Sequence, residues 1–259
     1  MKKNTKKAIL VNVYLRIFIY FAISYKKMNI DWLLELDRQV LAFFNGSDSL
    51  FLDAFAMTFT SGLTWIPLYL ALFYIVIKNN ENMTQIFLIV LSCLVCLFFT
   101  YGLADFIAKP YVARWRPTND PIIKYTIDVV NNYRETPYGF FSAHAANTFS
   151  IALFFVLLVR SRLLTTVLIA WSLLNCWTRM YLGVHYPGDI LVGLAWGAMV
   201  GTSVYLLYRK IYYKLTPKLN YVSSQYTSTG YSHSDIDVLV TVVVFVCCYI
   251  VIRAAITAI

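Results

Sequence analysis

A chain of 259 residues that is 59% hydrophobic and only 14% charged, with a mean hydropathy of +0.63, is excluded from the ordinary soluble domains and fits a polytopic membrane protein. Its net charge of +9, from 22 Lys+Arg against 13 Asp+Glu, then reads as cytoplasmic loop charge rather than a nucleic-acid footprint, so no nucleic-acid partner is expected. Cys93, Cys96, Cys176, Cys247 and Cys248 are odd in number and lie inside apolar runs, which makes them packing residues; the CxxC spacing of the first two has no strand or turn around it.

At the N-terminus, Lys2, Lys3, Lys6 and Lys7 precede an apolar run at 8–24, the pattern of a signal peptide or signal anchor. No small-residue cleavage site follows and Arg16 interrupts the run. Residues 1–27 are therefore expected to be an uncleaved first span, or an extension ahead of a start at Met28. Residues 31–45 place Trp32, Leu33, Leu36, Val40, Phe43 and Phe44 at helical spacing, with Glu35, Asp37, Arg38 and Gln39 between them. Capped by Asp31 and stopped by Asn45 and Gly46, this predicts an amphipathic helix too polar to span, lying flat on the membrane surface.

Five apolar runs follow, at 54–77, 85–108, 142–159, 163–182 and 189–212, each near the ~20 residues a helix needs to cross hydrocarbon. Pro67 is expected to kink the first. Asp105 and Lys109, four apart, share a helical face and can pair. Gly193, Gly197 and Gly201 let another helix come close, and are expected to pack inside the bundle rather than form a dimer seam. A last run at 236–259, with Arg253 near its end, adds a further span. The predicted fold is an all-α, polytopic transmembrane helical bundle of six spans, or seven with the run at 8–24, and an N-terminal interfacial amphipathic helix. Residues 28–215 form the functional domain, and 216–259 a linker and an additional C-terminal transmembrane helix.

Positive charge sets the expected orientation. Arg160 and Arg162 share one short loop, and Arg209, Lys210, Lys214 and Lys218 follow the run at 189–212. If both groups are cytoplasmic, the stretch from Thr178 to Asp189 and the loop at 110–138 face outward. That loop carries Arg114, Arg116, Lys124 and Arg134 against the positive-inside bias, which suits an anionic ligand.

Three polar pieces then fall at the same ends of spans. The first is Lys109, six residues, then Arg116 and Pro117. The second is Phe141, Ser142, Ala143 and His144, where Gly139 and Ser142 supply helix-start chemistry and free N–H groups make an anion site. The third runs from Thr178 and Arg179 through His185 to Asp189; charge at membrane depth is costly, so such a group is functional by default. Together they bring three cations, a hydroxyl, two imidazoles and a carboxylate to one side of the membrane.

These pieces resemble the type 2 phosphatidic acid phosphatase (PAP2) family, which shares its active site with the vanadium haloperoxidases. The family pattern is Lys-x6-Arg-Pro, then Pro-Ser-Gly-His, then Ser-Arg-x5-His-x3-Asp. The resemblance covers residues 31–212, with Phe141, Ala143 and Thr178 standing where the family has Pro, Gly and Ser. Chemistry and resemblance imply the same roles. His185 attacks phosphorus and becomes a phosphohistidine, Asp189 orients its imidazole, and His144 protonates the leaving alkoxide and then activates water. Lys109, Arg116 and Arg179 neutralise the phosphoryl oxygens, and Ser142 and the backbone at Ala143 add donors. Asp105 is expected to position Lys109, and Asn147 and Asn175 to support His144 and Arg179. No metal or other cofactor is expected, since cations stand where metal ions would.

The implied function is a lipid-phosphate phosphatase of a bacterial inner membrane, its site facing the periplasm. Undecaprenyl diphosphate, the phosphorylated sugar of lipid A, phosphatidylglycerol phosphate and phosphatidic acid all fit, and the string from Gly139 to Asn147 favours the first two. Two other classes stay open: a vanadate-dependent haloperoxidase, against which the apolar runs argue, and a non-catalytic binder of phosphorylated headgroups, which would not need both histidines. Oligomeric state is not legible.

Overall fold

The computed structural model describes residues 31–215 and 224–259, so the expectations for 1–27 lie outside the described residues. Eight helices follow in order: α1 (Asp31–Phe44), α2 (Leu50–Thr60), α3 (Ile66–Lys78), α4 (Met83–Val112), α5 (Ala143–Val159), α6 (Arg162–Tyr181), α7 (Pro187–Leu215) and α8 (His233–Thr257). The fold is all-α, with no strand among the described residues. By length and composition α4, α7 and α8 suffice to cross a membrane, and α2 with α3 makes a fourth crossing if the bent pair is one span. That is fewer than the six runs predicted. α5 is apolar but has only 17 residues, and α6 carries Arg162, Asn175 and Arg179 among its 20.

The run at 54–77 is a broken helix rather than a kinked one. α2 and α3 are bent by 65°, with a 3-10 turn at Gly62–Trp65 between them. Pro67, expected as the kink, lies in the first turn of α3, where the N–H it lacks would have no partner anyway. The break falls earlier, at Ser61 and Gly62. Carbonyls freed there are taken up locally: Trp65 Nε1 donates to Phe59 O at 2.7 Å and Thr64 Oγ1 to Thr58 O at 2.7 Å. Such repair is what allows a break among apolar helices.

α7 lies against α5, and glycine makes the close approach possible. A Cβ on Gly193 would stand 2.6 Å from Ser142 O, on Gly197 2.6 Å from Ala146 O, and on Gly201 2.6 Å from Ser150 O. The small-residue seam is therefore internal to the bundle, as expected. Phe98–Ala108 of α4 winds as a π-helix, and Thr100 within it donates to Asn147 of α5 at 2.5 Å.

α1 docks by its polar edge. Asp37 and Leu41 are buried, while Trp32, Leu36 and Phe43 are exposed, leaving the apolar face free for lipid. Asn45, just past its end, donates to Asp128 O at 2.9 Å and Tyr181 O at 2.8 Å. The chain leaves α4 through Ala113 (φ 52°) into a loop whose two ends are zipped together. There Arg116 N donates to Pro137 O and Gly139 N to Arg114 O, both at 2.9 Å. The ends of α4 and α6 and the starts of α5 and α7 meet beneath this loop and α1. Lys78, Arg160, Arg162, Arg209, Lys210 and Lys214 gather at the opposite end, where α8 begins with Asp235 accepting from Asn79 Nδ2 at 3.0 Å.

Candidate active site

Each functional side chain is placed by a helix end or by the zipped loop. Ser142 is the N-cap of α5, its Oγ accepting from Ala145 N at 3.4 Å, and its own N–H donates to Asp189 O at 3.0 Å. The starts of α5 and α7 are thereby tied together. His144 follows in the first turn of α5 and, with Ala143, lines a cavity of about 480 Å³. Lys109 lines the same cavity and pairs with Asp105 one turn back, as the spacing predicted.

The third motif bends between α6 and α7. His185 and Asp189 are four apart, with His185 Nδ1 3.6 Å from Asp189 Oδ2, just beyond hydrogen-bond range. His185 Nε2 lies 2.7 Å from Arg116 Nη1. A guanidinium only donates, so Nε2 must be the acceptor and the ring proton sits on Nδ1, facing Asp189. Nδ1 is itself a buried donor without a hydrogen-bond partner. The His185 pKa is pushed well below its ordinary 6.5, first by burial and then by Arg116 and Arg179, so the ring is neutral with its Nε2 lone pair available. Gly139 is required beside it: a Cβ there would stand 2.9 Å from Arg116 Cγ and 3.4 Å from His185 Nδ1.

Arg116 and Arg179 are 1% and 0% exposed, a burial that charges tolerate only when paired. Their common partner is Glu135, which takes Arg116 Nη2 at 2.8 Å on one oxygen and Arg179 Nη2 on the other. Arg179 also donates to Thr60 Oγ1 at 2.7 Å, while its Nε is a buried donor with no partner. Asp189, 0% exposed, accepts from Arg114 Nη1 at 2.7 Å and from Tyr186 N at 3.2 Å. Arg114 in turn reaches Asp37 of α1 at 2.6 Å, and Asp37 takes Gly188 N at 2.8 Å. α1 thus braces the start of α7.

All motif residues named from the sequence converge here. Two supporting residues have other partners than expected. Asn147 accepts from Thr100, because the π-helical turn brings α4 against α5, and Asn175 donates to Trp171 O at 2.9 Å within its own helix. Both still line the cavity. Sequence reasoning missed Glu135, the bracing role of Arg114, and Asp37. The sequence offers little signal for them: Glu135 is one of three acids in the loop at 110–138, beside Asp120 and Asp128, and Asp37 is one of several polar residues on the amphipathic helix. Among the described residues no group of three or more His, Cys, Asp or Glu could hold a metal ion.

Fold and site define a helical membrane protein with a cation-lined cavity and a neutral histidine behind its wall. The PAP2 superfamily matches residues 88–213. The chain is 37% identical over 184 residues to a lipid A 4'-phosphatase of Bacteroides thetaiotaomicron, a match spanning 70% of this chain and 81% of that one. It is 30% identical over 181 residues to a lipid A 4'-phosphatase of Porphyromonas gingivalis, spanning 69% and 75%. The solved transmembrane PAP2 type phosphatidylglycerolphosphate phosphatase of Bacillus subtilis shares the fold, with a TM-score of 0.53 and 19% identity over 79% of this chain and 98% of that one. The chain belongs to the PAP2 superfamily and is a membrane phosphatase of that type.

Proposed function

We propose that this phosphatase removes the 4'-phosphate of lipid A at the outer face of a bacterial inner membrane, through a phosphohistidine on His185. The observation that carries the chemistry is the state of His185, with Nε2 unprotonated and held by one of the two arginines that would take the phosphoryl oxygens. When a phosphate draws Arg116 onto its oxygens, Nε2 is free to form the N–P bond while the P–O bond to the sugar breaks. Asp189 stabilises the imidazolium that develops. His144, on the cavity wall, gives its proton to the leaving oxygen, then takes one from the water that displaces His185. Lys109, Arg116 and Arg179 hold the charge that spreads over the phosphoryl oxygens.

Two observations favour a saccharide headgroup. Both curated relatives described above carry the lipid A name. The cavity walls include Trp65, Tyr69, Tyr101 and Trp171, flat surfaces suited to a sugar ring, and Trp171 Nε1 is a buried donor with no protein partner. The cations at the far end of the bundle support a cytoplasmic location for that end and a periplasmic one for the site. The test is phosphate release by the purified protein from lipid A, undecaprenyl diphosphate, phosphatidylglycerol phosphate and phosphatidic acid in detergent. Lipid A should be turned over fastest, and mass spectrometry of the product should show loss of the 4'-phosphate. Preferred release from undecaprenyl diphosphate, or loss of the other sugar phosphate, would sink the assignment.

A further inference from the structure

Four cations and four carboxylates meet at the site end: Lys109 with Asp105, Arg114 between Asp37 and Asp189, and Arg116 and Arg179 on Glu135. Glu135 is the member that hydrolysis does not account for. Its two oxygens span the donors that a phosphoryl group would need. It lines the cavity together with Arg116, whereas His185 and Arg179 sit behind them, His185 on Arg116 and Arg179 on Glu135. A phosphate coming from the cavity therefore meets the carboxylate before it meets the nucleophile. The loop does not depend on that carboxylate for its position. Arg116 Nε holds Thr136 O at 2.8 Å, Arg116 N holds Pro137 O at 2.9 Å, and Asn119 Nδ2 holds Glu135 O at 3.2 Å. Tyr133 Oη also donates to Glu135 Oε1 at 2.9 Å, so the carboxylate is held by side chains alone, and exchanging it for a phosphate leaves these backbone bonds in place.

We propose that Glu135 is a specificity-determining residue, holding the Arg116–Arg179 pair against phosphodiester headgroups and yielding it to phosphate groups that carry two negative charges. The inference rests on the reading that this pair receives the substrate phosphate. With Glu135 in place the eight charges balance. A phosphodiester carries one negative charge, as Glu135 does, so exchanging one for the other gains no attraction. Glu135 also has the advantage of being tethered, which keeps its local concentration high. A phosphomonoester brings a charge of about −1.5 to −2 at neutral pH and three oxygens, enough for both guanidinium groups and Lys109. Most bilayer headgroups are phosphodiesters, so an enzyme embedded among them needs such a filter.

The test is Glu135→Gln, which keeps shape and removes charge, compared with the wild type in detergent. Inorganic phosphate and phosphatidylglycerol in mixed micelles are each titrated as inhibitors of a chromogenic phosphomonoester and as stabilisers against heat. The wild type should respond to phosphate and scarcely to phosphatidylglycerol. In Glu135→Gln the inhibition constants of both anions should fall by about tenfold or more, because each displaces the same carboxylate, and that fall brings phosphatidylglycerol into the inhibitory range. An unchanged response to phosphatidylglycerol would overturn the proposal. If Glu135→Gln does not fold even in phosphate, Glu135→Asp decides. Too short to span both arginines, it should gain part of the phosphatidylglycerol inhibition, and wild-type insensitivity in it would overturn the proposal. Failure of the phosphate reading itself looks different: neither anion would then inhibit or stabilise any of the proteins.

Discussion

His185 and His144 occupy different surroundings, and that divides their work. His185 is enclosed, touches Arg116 through Nε2 and faces Asp189, whereas His144 stands on the cavity wall. In the proposed mechanism His185 forms the bond to phosphorus held by the arginine pair, and His144 serves as acid and base. A sugar or lipid alkoxide leaves poorly and needs a proton from His144, but nitrophenolate leaves well without one. His144→Ala should therefore still accept phosphate from a nitrophenyl ester and then hydrolyse the intermediate slowly. Rapid mixing should show a burst of about one nitrophenol per site followed by a slow phase, with acid-labile label on His185. His185→Ala should show neither burst nor label. Turnover by His185→Ala, or label on another residue, would refute this division.

The glycine seam between α5 and α7 does more at the level of elements than hold two helices together. It sets the distance at which Ser142 N–H meets Asp189 O, and so the distance between the helix carrying His144 and the one carrying Asp189. A Cβ on Gly197 would meet Ala146 O at 2.6 Å and Ala146 Cα at 3.1 Å, both backbone atoms that cannot rotate aside. Gly197→Ala should cost roughly 1–3 kcal/mol of stability and lower kcat. Gly102→Ala, with nothing within 4 Å, should be neutral in the same unfolding titration and assay. Equal behaviour of the two variants would mean that the seam does not position the site. This seam was legible because small residues at one-turn spacing let a second helix come close, whether inside the bundle or across a dimer. The motif residues were legible for a related reason, since their chemistry demands fixed side chains at helix ends. Glu135 and Asp37 were not, because what a loop or surface acid pairs with depends on how the chain returns in three dimensions. The break at Ser61 and Gly62 also escaped: Pro67 drew attention, yet proline is at home in the first turn of α3.

Over the whole molecule, a site built from buried charge ties global stability to pH. Native His185 has its pKa pushed well below 6.5, chiefly by burial, then by Arg116 and Arg179. Burial would raise the pKa of Glu135, but Arg179 and Arg116 outweigh it and hold the carboxyl well below its ordinary 4.5. Both shifts act in the same direction. As pH falls through 6.5 the unfolded chain takes up a proton on His185 that the native protein refuses, so stability is complete above 6.5 and is lost below it. The slope from this one group is at most about 1.36 kcal/mol per pH unit. Glu135 repeats the pattern from its ordinary 4.5 downward, where unfolded chains protonate it and the arginine pair resists. The His185 window opens at 6.5 and the Glu135 window only at 4.5, so the range above 4.5 reports on His185 apart from Glu135. Equilibrium unfolding of the wild type and His185→Gln in mixed micelles, from about pH 5 to pH 8, isolates the first. The stability difference between the two should be flat above 6.5 and should shrink as the pH drops below it, because only the wild type carries the group that gains a proton on unfolding. A difference that stays constant across the range would mean that His185 titrates alike in both states, and that its ring is not kept neutral by the buried arginines.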